Sequence, residues 1–229
     1  MTYEQRRGQI EHYFDRTAVA AWEKLTSDAP VGRIRASVRA GRDQMRATLV
    51  SWLGEDLRGK RILDAGCGTG ALAVEAARLG AEVVAIDLSP TLVDLARERI
   101  PADVAHLVEF HSGDMLDPAL GEFDHVVGMD SLIHYDTPDI VAALERLSLR
   151  TRGSLLFTFA PRTPLLAAMH SVGRLFPRSD RSPALTPVAQ PKLRQGLAGS
   201  IGVGGWREGR SLRVASGFYT SQAWEWTRS

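Results

Sequence analysis

The segment Asp64-Ala65-Gly66-Cys67-Gly68-Thr69-Gly70 constrains this chain more than any other. It follows the short apolar run Arg61-Ile62-Leu63 and precedes an alanine-rich stretch, Ala71 to Leu79, that Gly80 ends. Alternating glycines between a buried strand and a helix permit a tight turn and let a ligand approach the main chain closely. The residues that follow repeat the alternation of strand and helix. Glu82 to Asp87 reads as a second strand, and Ser89-Pro90 as the cap and first-turn proline of a helix running to about Arg99. Leu107 to His111 and Phe123 to Met129 read as the third and fourth strands. Thr137-Pro138 caps a helix to about Leu149, and Ser154 to Phe159 is a fifth strand. Helices of this length between strands imply parallel βαβ units with right-handed crossovers.

The flanking segments read differently. Ile10, Tyr13, Phe14, Val19 and Trp22 lie loosely along one helix face, and a second helix candidate spans Ile34 to Leu53, with Val38, Met45, Leu49, Val50, Trp52 and Leu53 toward a core. Residues 161–205 form an insertion broken by Pro161, Pro164, Pro177, Pro183, Pro187 and Pro191, with one apolar helix candidate from Leu165 to Phe176. Insertions of that length in a compact domain are usually functional lids or disordered. Trp206 to Arg210 and Phe218 to Thr227 read as a closing pair of strands. The expected organisation is one domain over 1–229, with a helical arm at 1–55, a cofactor-binding core at 56–160, an acceptor-side insertion at 161–205 and closing strands at 206–229.

Charge and composition remove several function classes. The 28 Lys and Arg balance 27 Asp and Glu to a net charge of +1, which makes no general case for nucleic-acid binding, although arginines cluster at 33–46 and 174–194. The single cysteine, Cys67, excludes an internal disulfide and a cysteine zinc site, and it fits a reducing cytoplasm. The six histidines show no metal-ligand spacing, so no metal site is expected. No apolar run follows the N-terminal arginines as in a signal peptide, and none approaches the ~18 residues of a membrane span. The expected location is the cytoplasm, at most peripheral to a membrane.

Three features at successive strand ends point to one small-molecule ligand. Asp64 opens the glycine loop. Asp87 ends the second strand, about 20 residues on, where a carboxylate can accept from both hydroxyls of a ribose. Gly113-Asp114-Met115 follows the third strand, where Asp114 can accept from an adenine amine. The glycine spacing is G-x-G-x-G, whereas the dinucleotide fingerprint is G-x-G-x-x-G, and an acidic residue just before the first glycine would sit badly beside a pyrophosphate. It suits the ammonium end of a sulfonium cofactor that has no phosphates. The candidate cofactor contacts are Asp64, Ala65, Gly66, Cys67, Gly68, Gly70, Asp87, Leu88, Asp114, Met115 and Met129.

These residues resemble the class I methyltransferase family over about 60–160 and again in the closing hairpin. The resemblance implies a Rossmann-like α/β fold, with a seven-stranded, mostly parallel sheet whose last strand is antiparallel, and S-adenosyl-L-methionine as co-substrate. It says nothing of the methyl acceptor. Outside the shared core, His12-Tyr13-Phe14-Asp15-Arg16-Thr17 with Trp22, Asp130-Ser131-Leu132-Ile133-His134-Tyr135, Pro164 to Arg178, and Ser216-Gly217-Phe218-Tyr219 resemble the magnesium-protoporphyrin IX O-methyltransferase family, in its purple-bacterial branch. The implied reaction is transfer of the methyl group to a propionate of magnesium protoporphyrin IX in bacteriochlorophyll synthesis, with magnesium present only as part of the substrate. The large subunit of magnesium chelatase is the implied partner. The cyanobacterial and plant branch has a Tyr in a Trp-x-x-Ile-Tyr pattern. Here the residues are Trp22-Glu23-Lys24-Leu25-Thr26, so no role for that Tyr carries over.

A flat macrocycle with two carboxylates at one edge calls for an apolar wall with cations at its margin. Arg39, Arg42, Met169, His170 and Arg174 are the candidate substrate contacts. His134, just past the fourth strand, is the candidate catalytic residue, either orienting the propionate or clearing a residual proton; its family counterpart is regarded as catalytic. Tyr13 is a second candidate, on an arm that closes over the site. The alternative within enzymes is a methyltransferase for another small acceptor such as a quinone precursor, which would need a true general base. Outside enzymes, it is a cofactor-binding protein without turnover.

Overall fold

The computed structural model describes residues 6–8, 32–162 and 185–228. Seven strands form one sheet: β1 (Arg61–Ala65), β2 (Glu82–Asp87), β3 (Val108–Ser112), β4 (Phe123–Gly128), β5 (Thr151–Phe159), β6 (Trp206–Ser216) and β7 (Tyr219–Arg228). Their spatial order is β3-β2-β1-β4-β5-β7-β6. The first five are parallel, β7 runs antiparallel to β5, and β6 pairs antiparallel with β7 along the edge. The chain steps outward from β1 to β3, then returns to place β4 on the other side of β1. The order therefore reverses between β1 and β4, and a ligand crevice opens at such a switch point, beyond the carboxyl ends of the strands.

Strand alternation divides the buried residues between two cores. Leu63, Val84, Ile86, Val126, Leu155, Phe157, Trp224 and Trp226 face one side, against Ile140, Leu144 and Leu147 of α4 (Thr137–Ser148) and Leu193 and Leu197 of α5 (Gln190–Gly199). Ile62, Val83, Ala85, Val127, Leu156 and Ala223 face the other, against Met45, Leu49 and Leu53 of α1 (Arg33–Leu53) and Leu72, Ala73, Ala76 and Ala77 of α2 (Ala71–Arg78). Phe157, Phe159, Trp224 and Trp226 stack in series with ring centroids 5.8–6.4 Å apart, so the antiparallel strand is joined to the parallel ones by aromatic packing as well as by its ladder.

The remaining helix, α3 (Pro90–Arg99), begins as its sequence dictates: the Ser89 hydroxyl accepts from the Leu92 N–H at 3.3 Å, and Pro90 fills the first turn. Three boundaries differ from expectation. The cap of α4 is Asp136, not Thr137, because its carboxylate accepts from the Asp139 N–H at 3.2 Å. The helix expected from Leu165 to Phe176 lies outside the described residues, and the insertion also contains an unexpected helix, α5, whose Pro191 sits in the first turn where a proline lacks nothing, followed by a 3-10 turn at Ile201–Gly204. β6 runs on to Ser216, and Phe218 belongs to the hairpin turn, β7 starting at Tyr219. The described ends of the insertion are tied together. The Arg162 N–H donates to Val188 O at 3.0 Å, and the Val188 N–H to Ala160 O at 2.8 Å. Among the described residues no helix is long and apolar enough to cross a membrane.

Candidate active site

The candidate cofactor residues come together along the carboxyl edge of β3, β2, β1 and β4. Gly66, Gly68 and Gly70 hold φ of 87°, 53° and 79°, a conformation open to glycine and costly for side chains. A Cβ at position 66 would also stand 2.4 Å from the Ser131 Cβ, so the loop after β1 and the loop after β4 touch at the switch point.

Asp64, at the end of β1, is 1% exposed. One carboxylate oxygen takes the Ala73 N–H at the start of α2, whereas Oδ2 is buried with no hydrogen-bond partner. Burial, reinforced by the Asp87 charge, pushes its carboxyl up to about 7. A buried carboxylate oxygen without a donor, beside a second carboxylate, is a place for a cation that brings its own N–H groups. Asp87 braces the loop, accepting from the Gly68 N–H at 2.8 Å and the Ser89 N–H at 3.0 Å, and burial raises its carboxyl as well. Burial and the Asp64 and Asp87 charges push the Cys67 thiol up, which disfavours its thiolate.

Asp114 and Met115 stand in a loop after β3 that is held from several directions. The Asp114 Oδ1 accepts from the Leu116 N–H at 2.9 Å, and the Gly113 N–H donates to Asp87 O at 2.9 Å. The Arg150 guanidinium donates to the carbonyls of Met115 and Asp117. Arg7, in the helical residues 6–8, pairs with an Asp114 carboxylate oxygen at 2.7 Å; nothing in the sequence signalled this ion pair. Ala65, Met115 and Met129 are buried, and Leu88 is half-buried against the core.

The acceptor-side candidates fall into two groups. His134 is buried, and its loop is fastened to the far end of the insertion: the Thr186 N–H donates to Ile133 O at 2.9 Å, and the Thr186 hydroxyl to His134 O at 3.1 Å. Arg39 and Arg42 lie on α1. Arg42 forms an ion pair with Asp130 at 2.7 Å, so its charge is already met within the protein. Tyr13, Met169, His170 and Arg174 lie outside the described residues. Sequence reasoning missed Asp130 as a residue in its own right. It sits at the end of β4 and receives Arg42, Thr158, Tyr219 and Ser221. The only signal was an aspartate at a strand end.

A sheet of this order, with an acidic glycine loop at its switch point and a partnerless buried carboxylate oxygen beside it, defines a class I S-adenosylmethionine-dependent methyltransferase; a methyltransferase-domain family matches residues 62–152. The family described as the C-terminus of magnesium-protoporphyrin IX methyltransferase matches residues 128–228, and the magnesium-protoporphyrin O-methyltransferase of Rhodobacter capsulatus is 50% identical over 98% of this chain and 97% of its own. The chain belongs to the magnesium-protoporphyrin O-methyltransferase family. The crystal structure of magnesium protoporphyrin IX methyltransferase from Synechocystis PCC 6803 with bound SAH superimposes with a TM-score of 0.85 at 28% identity, covering 98% of this chain and 100% of that one. A ubiquinone biosynthesis O-methyltransferase of Xanthomonas oryzae pv. oryzae is 41% identical, but over only 54% of each chain.

Proposed function

We propose that this protein transfers the methyl group of S-adenosyl-L-methionine to a propionate carboxylate of magnesium protoporphyrin IX, giving the monomethyl ester in bacteriochlorophyll synthesis. The carrying observation is that likeness to this family continues through residues 128–228, which hold the acceptor loop, the insertion and the closing hairpin. The quinone-precursor alternative is not favoured, because the likeness to those enzymes stops at about half of the chain.

The bound co-substrate supplies an electrophilic methyl on a positively charged sulfur; the carboxylate oxygen forms the new C–O bond as the S–CH3 bond breaks, its electron pair staying on sulfur. No proton need move, since a propionate is ionised near neutral pH. What remains for the protein is alignment and exclusion of water. Asp64 and the glycine loop hold the ammonium end, Asp87 the ribose hydroxyls and Asp114 the adenine amine. His134 hydrogen-bonds the propionate and fixes the attack direction, or clears a residual proton. Arg39, one turn before the Asp130-paired Arg42 on α1, anchors the carboxylate edge. Tyr13 on the arm, and Met169, His170 and Arg174 on the insertion, are proposed to complete the cover.

The division into arm, core, insertion and closing strands, all within one domain, belongs to the same proposal. So do receipt of the porphyrin from the large subunit of magnesium chelatase, a cytoplasmic location and a peripheral membrane contact. Labelled co-substrate offered with magnesium protoporphyrin IX or with a polyprenyl phenol tests the function. Label in the porphyrin alone is expected, and label in the phenol alone would overturn it.

A further inference from the structure

Asp130 is, among the described residues, the one non-glycine with positive φ, at 55°. That conformation is sterically unfavourable for a side-chain-bearing residue and persists only where the surroundings over-determine it. The surroundings here are explicit. The Arg42 guanidinium donates to Oδ2 at 2.7 Å from α1. The Tyr219 hydroxyl lies 3.0 and 3.1 Å from the two carboxylate oxygens, and the Ser221 hydroxyl donates to Oδ1 at 3.2 Å, both from β7. From β5, Thr158 Oγ1 accepts the Asp130 N–H at 2.7 Å and lies 3.2 Å from Oδ1. The carboxylate is therefore surrounded by donors from three elements, and its side chain is only 6% exposed. Beneath it, Gly41 admits the Tyr219 ring, since a Cβ there would meet Cδ1 at 2.5 Å. Consecutive residues of α1, Gly41 and Arg42, thus grip the tyrosine and the aspartate together.

A carboxylate so enclosed has little reach toward a substrate, but the residues after it do. Ser131 follows directly and closes on Gly66 of the cofactor loop. Beyond it the turn Leu132–Tyr135, closed by the Tyr135 N–H on Leu132 O at 3.1 Å, carries His134. We propose that Asp130 is the positioning residue of the acceptor site: by clamping α1, β5 and β7 onto the end of β4, it fixes where loop 131–136 and His134 stand relative to the cofactor. The proposal rests on that loop serving the methyl acceptor, as proposed above.

The test uses Asp130→Asn, Asp130→Gly and Tyr219→Phe in the full chain, with three readouts. These are amide hydrogen exchange of residues 131–136, the Kd for S-adenosylmethionine, and kcat and KM with magnesium protoporphyrin IX. Asn tolerates the left-handed conformation and keeps an acceptor oxygen but loses the charge. Gly adopts the conformation freely and loses every contact. Both are expected to speed exchange in 131–136 about tenfold or more and to lower kcat at least tenfold, with the co-substrate Kd within about threefold of wild type. Tyr219→Phe, which keeps the ion pair, should move exchange and kcat the same way by less. Wild-type behaviour of Asp130→Gly would mean that only the turn conformation matters, and would overturn the proposal. Loss of co-substrate affinity as large as the loss of kcat would overturn it too. If the wild-type enzyme itself does not methylate the porphyrin, the function proposed above fails; exchange in 131–136 still decides whether Asp130 holds the loop.

Discussion

Replacing Asp64 with asparagine should make the cofactor-free protein more stable at pH 8 while crippling its binding of co-substrate. The carboxyl is pushed from 3.8 up to about 7 by burial and the Asp87 charge, so the folded protein keeps a proton that the unfolded chain has released. The associated stability is fully present below the unfolded value of 3.8 and is lost as the pH rises through about 7. At 1.36 kcal/mol per unit, the ionised carboxylate costs the fold up to about 4 kcal/mol at pH 8. Asparagine removes that cost and still accepts from the Ala73 N–H, but it buries an unsatisfied amide worth about 1–3 kcal/mol. The net gain expected at pH 8 is about 1–3 kcal/mol, which for a chain of this length is a Tm rise of about 2–4 °C per kcal/mol. The gain should shrink and reverse below pH 5. Thermal unfolding of both proteins from pH 4.5 to 8.5, with and without S-adenosylmethionine, measures this. A variant that is less stable than wild type across the whole range, or a difference that does not change with pH, would refute the reasoning.

The same titration predicts that, in the wild-type protein, the Kd for S-adenosylmethionine weakens by up to about tenfold per pH unit below 7, as Asp64 takes a proton and loses its attraction for the ammonium; calorimetry at pH 6 and 8 reads it. Gly66→Ala, with φ at 87° and its Cβ 2.4 Å from that of Ser131, should lower co-substrate affinity at least tenfold in the same assay. Gly41→Ala forces a methyl onto the Tyr219 ring at 2.5 Å and should cost about 1–3 kcal/mol in urea unfolding. His134→Ala should lower kcat by about tenfold, through loss of alignment of the propionate and not of a base, with the co-substrate Kd unchanged.

The parts of the fold that were legible in the sequence are those specified by neighbours in the chain. The strands β1, β2 and β4 announce themselves by apolar runs, and Ser89-Pro90 is a local cap, so their boundaries fall within a residue or two of expectation. Asp64, Asp87 and Asp114 stand out in the sequence because each lies next to a strand end, and the strand order lines those ends up. What failed depended on context. Pro191 breaks a helix interior but not a first turn, so α5 was hidden. β6 is an exposed edge strand whose residues 207–213 face solvent, and it lacks the apolar alternation that would have marked its length. Asp130 draws its partners from 28 to 91 positions away, and no local pattern encodes such a meeting. Arg42 was picked out for its charge, but its ion pair with Asp130 follows from tertiary placement alone.

Carboxylate methylation of a magnesium porphyrin is tested most directly by following labelled methyl from S-adenosylmethionine into magnesium protoporphyrin IX and into metal-free protoporphyrin, then treating the products with mild alkali. The expected result is faster labelling of the magnesium form, a single methyl per macrocycle, and release of the label by alkali as from an ester. An alkali-stable label, or no label in either porphyrin, would contradict the account.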